Sequence, residues 1–143
     1  MKDGKRVVYR AGVIPFIFEG NTLKMLFMKP SSPEYGGDRF QIAKGKVEPG
    51  EQPEAAALRE GMEELGLFRG NIEYTNELGV FMGRTTVFVS KVKDEDMFGL
   101  PHFETEETRW MTLDEFLAEG RELHRPVVKA ASRFIMKKEH RNE

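Results

Sequence analysis

Residues 45–67, GKVEPGEQPEAAALREGMEELGL, decide how the rest of the chain is read. The stretch opens as a loop with glycines at 45 and 50 and runs into a helical pattern. Pro53 suits a first helical position, where the missing N–H leaves no bond unmade. Gly66 is a helix stop, so the spacing predicts a helix over 53–65. Ala55, Leu58, Met62 and Leu65 follow 3–4–3 spacing and form its expected apolar stripe. At about 100° per residue, Glu60, Glu63 and Glu64 fall on the opposite side within a sector of roughly 100°. Like charges one turn apart cost a few tenths of a kcal/mol each, and Arg59 offsets only part of that. A solvated charged face is one reading. A hard divalent cation is the other, because Mg²⁺ takes carboxylate, carbonyl and water oxygens and so turns the repulsion into binding. Phosphates are substrates that want such an ion, since it bridges their oxygens and acidifies an attacking water.

Outward from this helix, 7–19 (VVYRAGVIPFIFE) reads as a strand rich in β-branched and aromatic residues. Pro15 predicts an edge position or a bulge at its middle. Gly20-Asn21 is a turn into a hairpin partner, TLKMLFMK, and KPSSPEYGGDR is an irregular loop. Residues 40–43 form an expected short strand leading into the quoted stretch. NIEYTNELGVF and TTVFVSKV read as strands joined by MGR. The polar stretch KDEDMFGLPHFETEE reads as a loop, and TRWM as a short strand. Thr112 is placed to cap a helix from Leu113, with Glu115 three residues on. Pro126 opens a last helix with Val127, Val128, Ala131, Phe134 and Ile135 on its apolar face, and the tail KKEHRNE is expected to fray. Strands, helix, strands and helices predict a mixed sheet covered by helices.

The 143 residues fit one domain, 1–143, with 39% hydrophobic and 32% charged residues. A net charge of -2 gives weak support to nucleic-acid or anionic-membrane binding. The lack of cysteine excludes disulfides, thiolate metal sites and cysteine nucleophiles. MKDGKRVVYR lacks the apolar core of a signal peptide, and no apolar run approaches spanning length. A cytoplasmic location is the expectation.

The quoted stretch resembles the signature of the Nudix hydrolases. Gly45, Glu51, Arg59, Glu60, Glu63, Glu64, Gly66 and Leu67 stand at the matching positions. Gly61 departs from the pattern, at an expected cost of about 1 kcal/mol of helix stability relative to alanine. AGVIPFIF, FQIAKG and Trp110-Met111 extend the likeness to roughly residues 7–138. The resemblance implies an α/β/α sandwich around a mixed sheet, with residues 45–67 as a catalytic loop–helix–loop. It also implies hydrolysis of a nucleoside diphosphate linked to another group, with Mg²⁺ as cofactor and Mn²⁺ as a substitute ion. On that resemblance Glu60, Glu63 and Glu64 are metal ligands, joined by the Gly45 carbonyl. Arg59 orients the acids through Glu63 or Glu51, and Glu51 is structural. The general base is a motif glutamate or Glu104, six residues before Trp110, with Glu106 and Glu107 as rivals.

FQIAKGKVEPGE and ETEETRWM also resemble segments of the asymmetric diadenosine tetraphosphate hydrolases, although Ala43 replaces their usual proline. That likeness sets Lys44 and Lys46 beside the phosphates. Arg84, Arg39 and the loop residue Tyr35 join them as substrate-binding candidates. Tyr9, Phe40, Tyr74 and Phe81 are further candidates for stacking on a base, whereas Phe16, Phe18, Phe27 and Phe88 read as core. His102, His124 and His140 read as surface residues. The first substrate reading is a dinucleoside polyphosphate. ADP-ribose or a nucleotide sugar, an RNA 5′ end, a damaged nucleoside triphosphate and a non-catalytic nucleotide-binding protein are the alternatives. The expected partner is a small nucleotide, with no membrane and no nucleic acid beyond an RNA 5′ end. Monomer and homodimer both stay open.

Overall fold

The computed structural model describes residues 7–35 and 37–141, and the Tyr35 side chain lies outside the described part. In chain order the elements are β1 (Arg10–Glu19), β2 (Thr22–Pro30), β3 (Ala43–Lys46), α1 (Pro53–Leu65), β4 (Ile72–Phe81), β5 (Thr85–Val92), β6 (Thr105–Met111), α2 (Leu113–Glu119) and α3 (Arg125–Lys138). The strands form one sheet in the order β4-β5-β1-β2-β6, with β3 also paired to β1. β1 runs parallel to β5 and the other pairs are antiparallel, so the sheet is mixed.

Alternation along the strands sends side chains to opposite faces. On one face Ile14, Phe16, Met25, Phe27, Val87 and Val89 pack against Phe116 of α2 and Val127, Val128, Ala131 and Ile135 of α3. On the other, Ala11, Val13, Phe88 and Val92 meet Ala56, Ala57 and Leu58 of α1. The expected α/β/α sandwich is the result.

Pro15 corrects the expectation of an edge strand. β1 is central, but it changes antiparallel partner there: Val13 pairs with Ala43 of β3, and Phe16 with Met25 of β2. The proline occupies the changeover, where a missing N–H does the least harm to either ladder. The expected strand over 40–43 is displaced to Ala43–Lys46, with Phe40 and Gln41 held only by isolated bridges. β6 begins at Thr105, so Glu106 and Glu107 lie in a strand and not in the loop. This is a sheet edge, where charged side chains face water freely and discourage further pairing.

The helix ends follow from local chemistry. α1 runs from Pro53, and Gly66 closes it with φ 76°. Thr112 and Glu115 form a reciprocal capping box on α2. The tail departs from the expectation of fraying through residue 141. Glu139 accepts from Lys91 Nζ at 2.9 Å and from the Tyr74 hydroxyl at 2.5 Å. Arg141 donates to the Gly20 carbonyl and stacks its guanidinium 4.1 Å from the Phe18 ring centroid.

Candidate active site

β3 and α1 bring the motif together. The expected apolar stripe of α1 is corrected by which side chains are buried. Ala56, Ala57, Leu58, Glu60, Gly61 and Leu65 are buried, whereas Met62 is 46% exposed. Small residues, not the long Met62, let α1 approach β1. A Cβ at Gly61 would meet Val13 Cγ1 at 2.7 Å and Leu67 Cδ2 at 3.1 Å. Gly61 is therefore a packing requirement as well as a helix-propensity cost.

That close approach sets Glu60, only 9% exposed, against the backbone of β3. A Cβ on Gly45 would fall on the Glu60 carboxylate, so glycine is what allows the loop to lie over the acid. Glu64 accepts the Lys44 backbone N–H at 3.2 Å. Burial, and then the charge of Glu60, push the Glu64 carboxyl up to about 8 against the pull of that N–H. Burial and the neighbouring Glu63 likewise raise Glu60, with Arg59 opposing. Two carboxyls this close keep a proton between them when no cation is near.

Arg59 ties the acids to the loop. Its Nε and Nη2 donate to the two oxygens of Glu51 at 2.9 and 3.0 Å, and Nη2 also donates to the Lys46 carbonyl at 3.0 Å. Nη1 reaches Glu60 at 3.0 Å and Glu63 at 3.5 Å. Both expected partners of Arg59 are thus engaged. Glu51, held by this fork and by the Glu48 N–H, is depressed to about 2, which fits a structural anion.

Among the described residues, no three histidine, aspartate or glutamate side chains are gathered around a point that would hold an ion as they stand. Arg59 draws Glu60 and Glu63 toward itself. The donor set nevertheless fits a hard divalent cation: it is all oxygen, it carries raised carboxyls that a cation would discharge, and Gly45 leaves its carbonyl unscreened by a side chain.

The loop from β5 to β6 caps the far end of α1. Gly99 N–H donates to the Gly66 carbonyl at 2.8 Å, His102 N–H to Glu63 at 2.7 Å, and the Thr105 hydroxyl to the Glu64 carbonyl at 2.9 Å. Orphan carbonyls of the helix end are satisfied by the segment that carries Glu104. Buried Asn71 holds the start of that loop through the carbonyls of Asp94 and Met97 and the N–H of Asp94. Glu104 has no side-chain bond to the motif acids, while Glu107 is engaged by Arg109 and Glu106 faces Lys29.

The structure divides the substrate-binding candidates. Lys44 and Arg84 share a cleft of about 330 Å³ with Arg10 and Arg121. Arg39 lines a different one, beside Lys29, Asp38, Phe40 and Glu119. Lys46 lies with Tyr9 and Glu48 along a third depression. Tyr35 falls outside the described side chains. Phe40 is buried beneath Arg109, and Tyr74 is committed to Glu139 and to the Phe16 ring, so neither is open to a base.

Two residues of the Lys44 cleft, Arg10 and Arg121, were not singled out in the sequence, since nothing local distinguishes them. His124 corrects the surface reading. It is fully buried, and its Nδ1 accepts the Ile42 N–H at 3.1 Å. Its proton therefore sits on Nε2, which has no partner among the described residues. Burial, then Lys44 and Arg121, lower it to about 3, so it stays neutral. The same crowding acts on Lys44, lowered by burial and then by Arg121 and Arg10.

The chain matches the NUDIX domain over residues 8–131, most of its length. The chain belongs to the Nudix family. Its catalytic class is that of a Nudix pyrophosphohydrolase acting on a nucleotide-derived substrate. Solved Nudix structures share the fold. A Caenorhabditis elegans Ap4A hydrolase binary complex matches at 20% identity and a TM-score of 0.73, over 92% of this chain and 99% of that one. The NUDIX domain of Shewanella oneidensis NrtR, complexed with ADP ribose, matches at 14% identity and 0.71, over 92% and 90%. A Nudix hydrolase from Mycobacterium smegmatis, RenU, matches at 18% and 0.70, over 89% and 86%. No match was found among curated proteins. Among the described residues, no helix is long and apolar enough to cross a membrane.

Proposed function

We propose that this Nudix protein hydrolyses a pyrophosphate linkage in a dinucleoside polyphosphate such as diadenosine tetraphosphate, with Mg²⁺ as cofactor. The observation that carries the reading is the pair of buried Glu60 and half-buried Glu64, the second tied to the N–H of Lys44, whose side chain lines a cationic cleft. Glu60, Glu63, Glu64 and the Gly45 carbonyl would hold the ion. When bound, Mg²⁺ supplies charge neutralisation of the phosphates and acidification of a water.

The residues do the rest. Arg59 fixes the acids by binding Glu51, Glu60 and Glu63 at once. Lys44 holds Glu64 through its backbone and offers its ammonium to the phosphate chain. Water oxygen bonds to phosphorus as the bond to the leaving phosphate oxygen breaks, and the water proton passes to a carboxylate. Glu104 is the proposed acceptor, because its loop is bound to the Glu63 and Glu64 carbonyls and its carboxylate is not engaged by the motif arginine. Cutting the tetraphosphate chain asymmetrically gives ATP and AMP.

The fold shared with the C. elegans Ap4A hydrolase supports this reading, and the NrtR domain complexed with ADP ribose supports ADP-ribose as the second. The test is product analysis with Mg²⁺ across diadenosine tetraphosphate, ADP-ribose, nucleoside triphosphates and 5′-triphosphorylated RNA, beside a Glu64→Gln control. ATP plus AMP with the highest kcat/KM, lost in the control, is the expected result. Preferred release of AMP and ribose 5-phosphate from ADP-ribose would keep the hydrolytic reading and replace the substrate.

A further inference from the structure

The cleft beside Lys44 is built from three segments that meet only in the fold. Val8 and Arg10 come from the approach to β1 and its first residue, Met82 to Thr85 from the β4–β5 turn and the first residue of β5, and Arg121 and Leu123 from the segment before α3. Strand register explains why Lys44 joins them. Gly12 lies opposite Lys44 and Arg10 opposite Lys46, while Ala11 lies opposite Gly45. Gly45 and Ala11 face α1, so Arg10 and the Lys44 side chain face the other side of the sheet.

Four cationic side chains therefore line one cleft: Arg10, Lys44, Arg84 and Arg121. None forms an ion pair among the described residues, whereas Lys24, Lys29, Arg59, Lys91 and Arg109 all do. Among the described residues the Arg121 guanidinium donates to the neutral Gln41 amide oxygen, at 3.2 Å. The lining includes no carboxylate and no aromatic ring. A cleft of one sign concentrates counter-ions, and arginine binds phosphate oxygens through its planar fork. A nucleobase would find no aromatic ring there to stack on. The cleft below Arg39, by contrast, mixes Lys29 and Arg39 with Asp38 and Glu119.

Lys44 connects the two regions, because its backbone N–H binds Glu64 while its side chain lines the cleft. We infer that this cleft holds the phosphates that extend beyond the bond being cut, and that Arg10 and Arg121 select long phosphate chains over the two-phosphate bridge of an ADP-linked compound. The inference rests on reading the motif as the hydrolytic centre. The ligand class is a small-molecule oligophosphate.

The probe is inorganic tripolyphosphate, titrated calorimetrically into the full chain in chelator, so that the motif metal takes no part. Binding that weakens as salt rises, and that falls at least about tenfold in Arg10→Gln/Arg121→Gln, is expected from the loss of charge-assisted bonds. A melting curve checks that the variant folds, and Arg10→Lys/Arg121→Lys recovers part of the affinity. In turnover, the Gln pair raises KM for diadenosine tetraphosphate by about tenfold with kcat kept, and changes KM for ADP-ribose by less than about twofold. Equal tripolyphosphate affinity in both proteins overturns the subsite, as does an equal KM change on both substrates. Arginine dependence seen only with 5′-triphosphorylated RNA also overturns it. If arginine-dependent tripolyphosphate binding occurs while no substrate is turned over, the hydrolytic reading falls and the cleft is an oligophosphate-binding site, not a subsite for a cleaved chain. If turnover proceeds with KM unchanged in the variant, the subsite falls alone.

Discussion

In the absence of a divalent ion, Glu64 is held where its charge is disfavoured. Burial and the Glu60 charge place its carboxyl at about 8, against 4.5 for the ordinary group. The folded protein thus binds this proton more tightly than the unfolded chain does. Its stabilisation is complete below about pH 4.5 and is lost as pH rises through about 8. The interval corresponds to at most roughly 5 kcal/mol. Glu60 shares the proton and the site relaxes as it ionises, so about 2–3 kcal/mol is the expected loss between about pH 5 and pH 9. Urea denaturation followed by circular dichroism, in chelator and across this range, measures it. Glu64→Gln should remove most of the pH dependence and leave the metal-free variant more stable than wild type at about pH 9. Saturating Mg²⁺ should reverse the order, because it stabilises wild type by about 2.7 kcal/mol at a hundredfold excess over Kd and finds a poorer site in the variant. A metal-free Glu64→Gln protein no more stable than wild type at the alkaline end would refute the reasoning.

Gly61→Ala should destabilise the protein by about 1 kcal/mol, although helix propensity alone favours alanine by a similar amount, because overpacking against Val13 costs about 1–3 kcal/mol. Denaturant midpoints decide the sign. Gly45→Ala sets a methyl on the Glu60 carboxylate; kcat/KM should fall at least about tenfold and the Mg²⁺ requirement rise, with an unchanged circular dichroism spectrum. Arg59→Lys keeps a charge but cannot reach Glu51, Glu60, Glu63 and the Lys46 carbonyl together. Steady-state kinetics should show a loss of about 10–100-fold in kcat/KM that added Mg²⁺ restores in part.

What could be read from the chain was local. Pro53 and Gly66 mark both ends of α1 through backbone geometry alone, and Thr112 with Glu115 marks the start of α2. The motif acids, their arginine and Gly45 lie within one short window, so their proximity was legible too. Features decided by distant segments were not. The buried side of α1 is chosen by what β1 can accept, which favours Ala57 and Gly61 over Met62. Pro15 looks like an edge marker until β3 and β2 are known to share one side of β1. His124 is buried because the segment before α3 folds onto Ile42, 82 residues away in sequence. Arg10 and Arg121 meet for the same reason, and the spacing of neither predicts the other.

The division of β1 between two partners also bears on how such a chain can be altered. β2 leaves the sheet beside β6, where Pro30 lies opposite Thr105, and β3 returns to it against β1, with Met28 and Gln41 bridged where the connector comes back. Both anchorage points are fixed without reference to the length of the segment between Pro30 and Phe40. Doubling such a segment costs only about 0.6 kcal/mol in closure entropy. The connector is therefore a place where loop elements can be grafted or exchanged while β3 and α1 keep their alignment, so that a new surface need not be acquired at the expense of the motif's geometry.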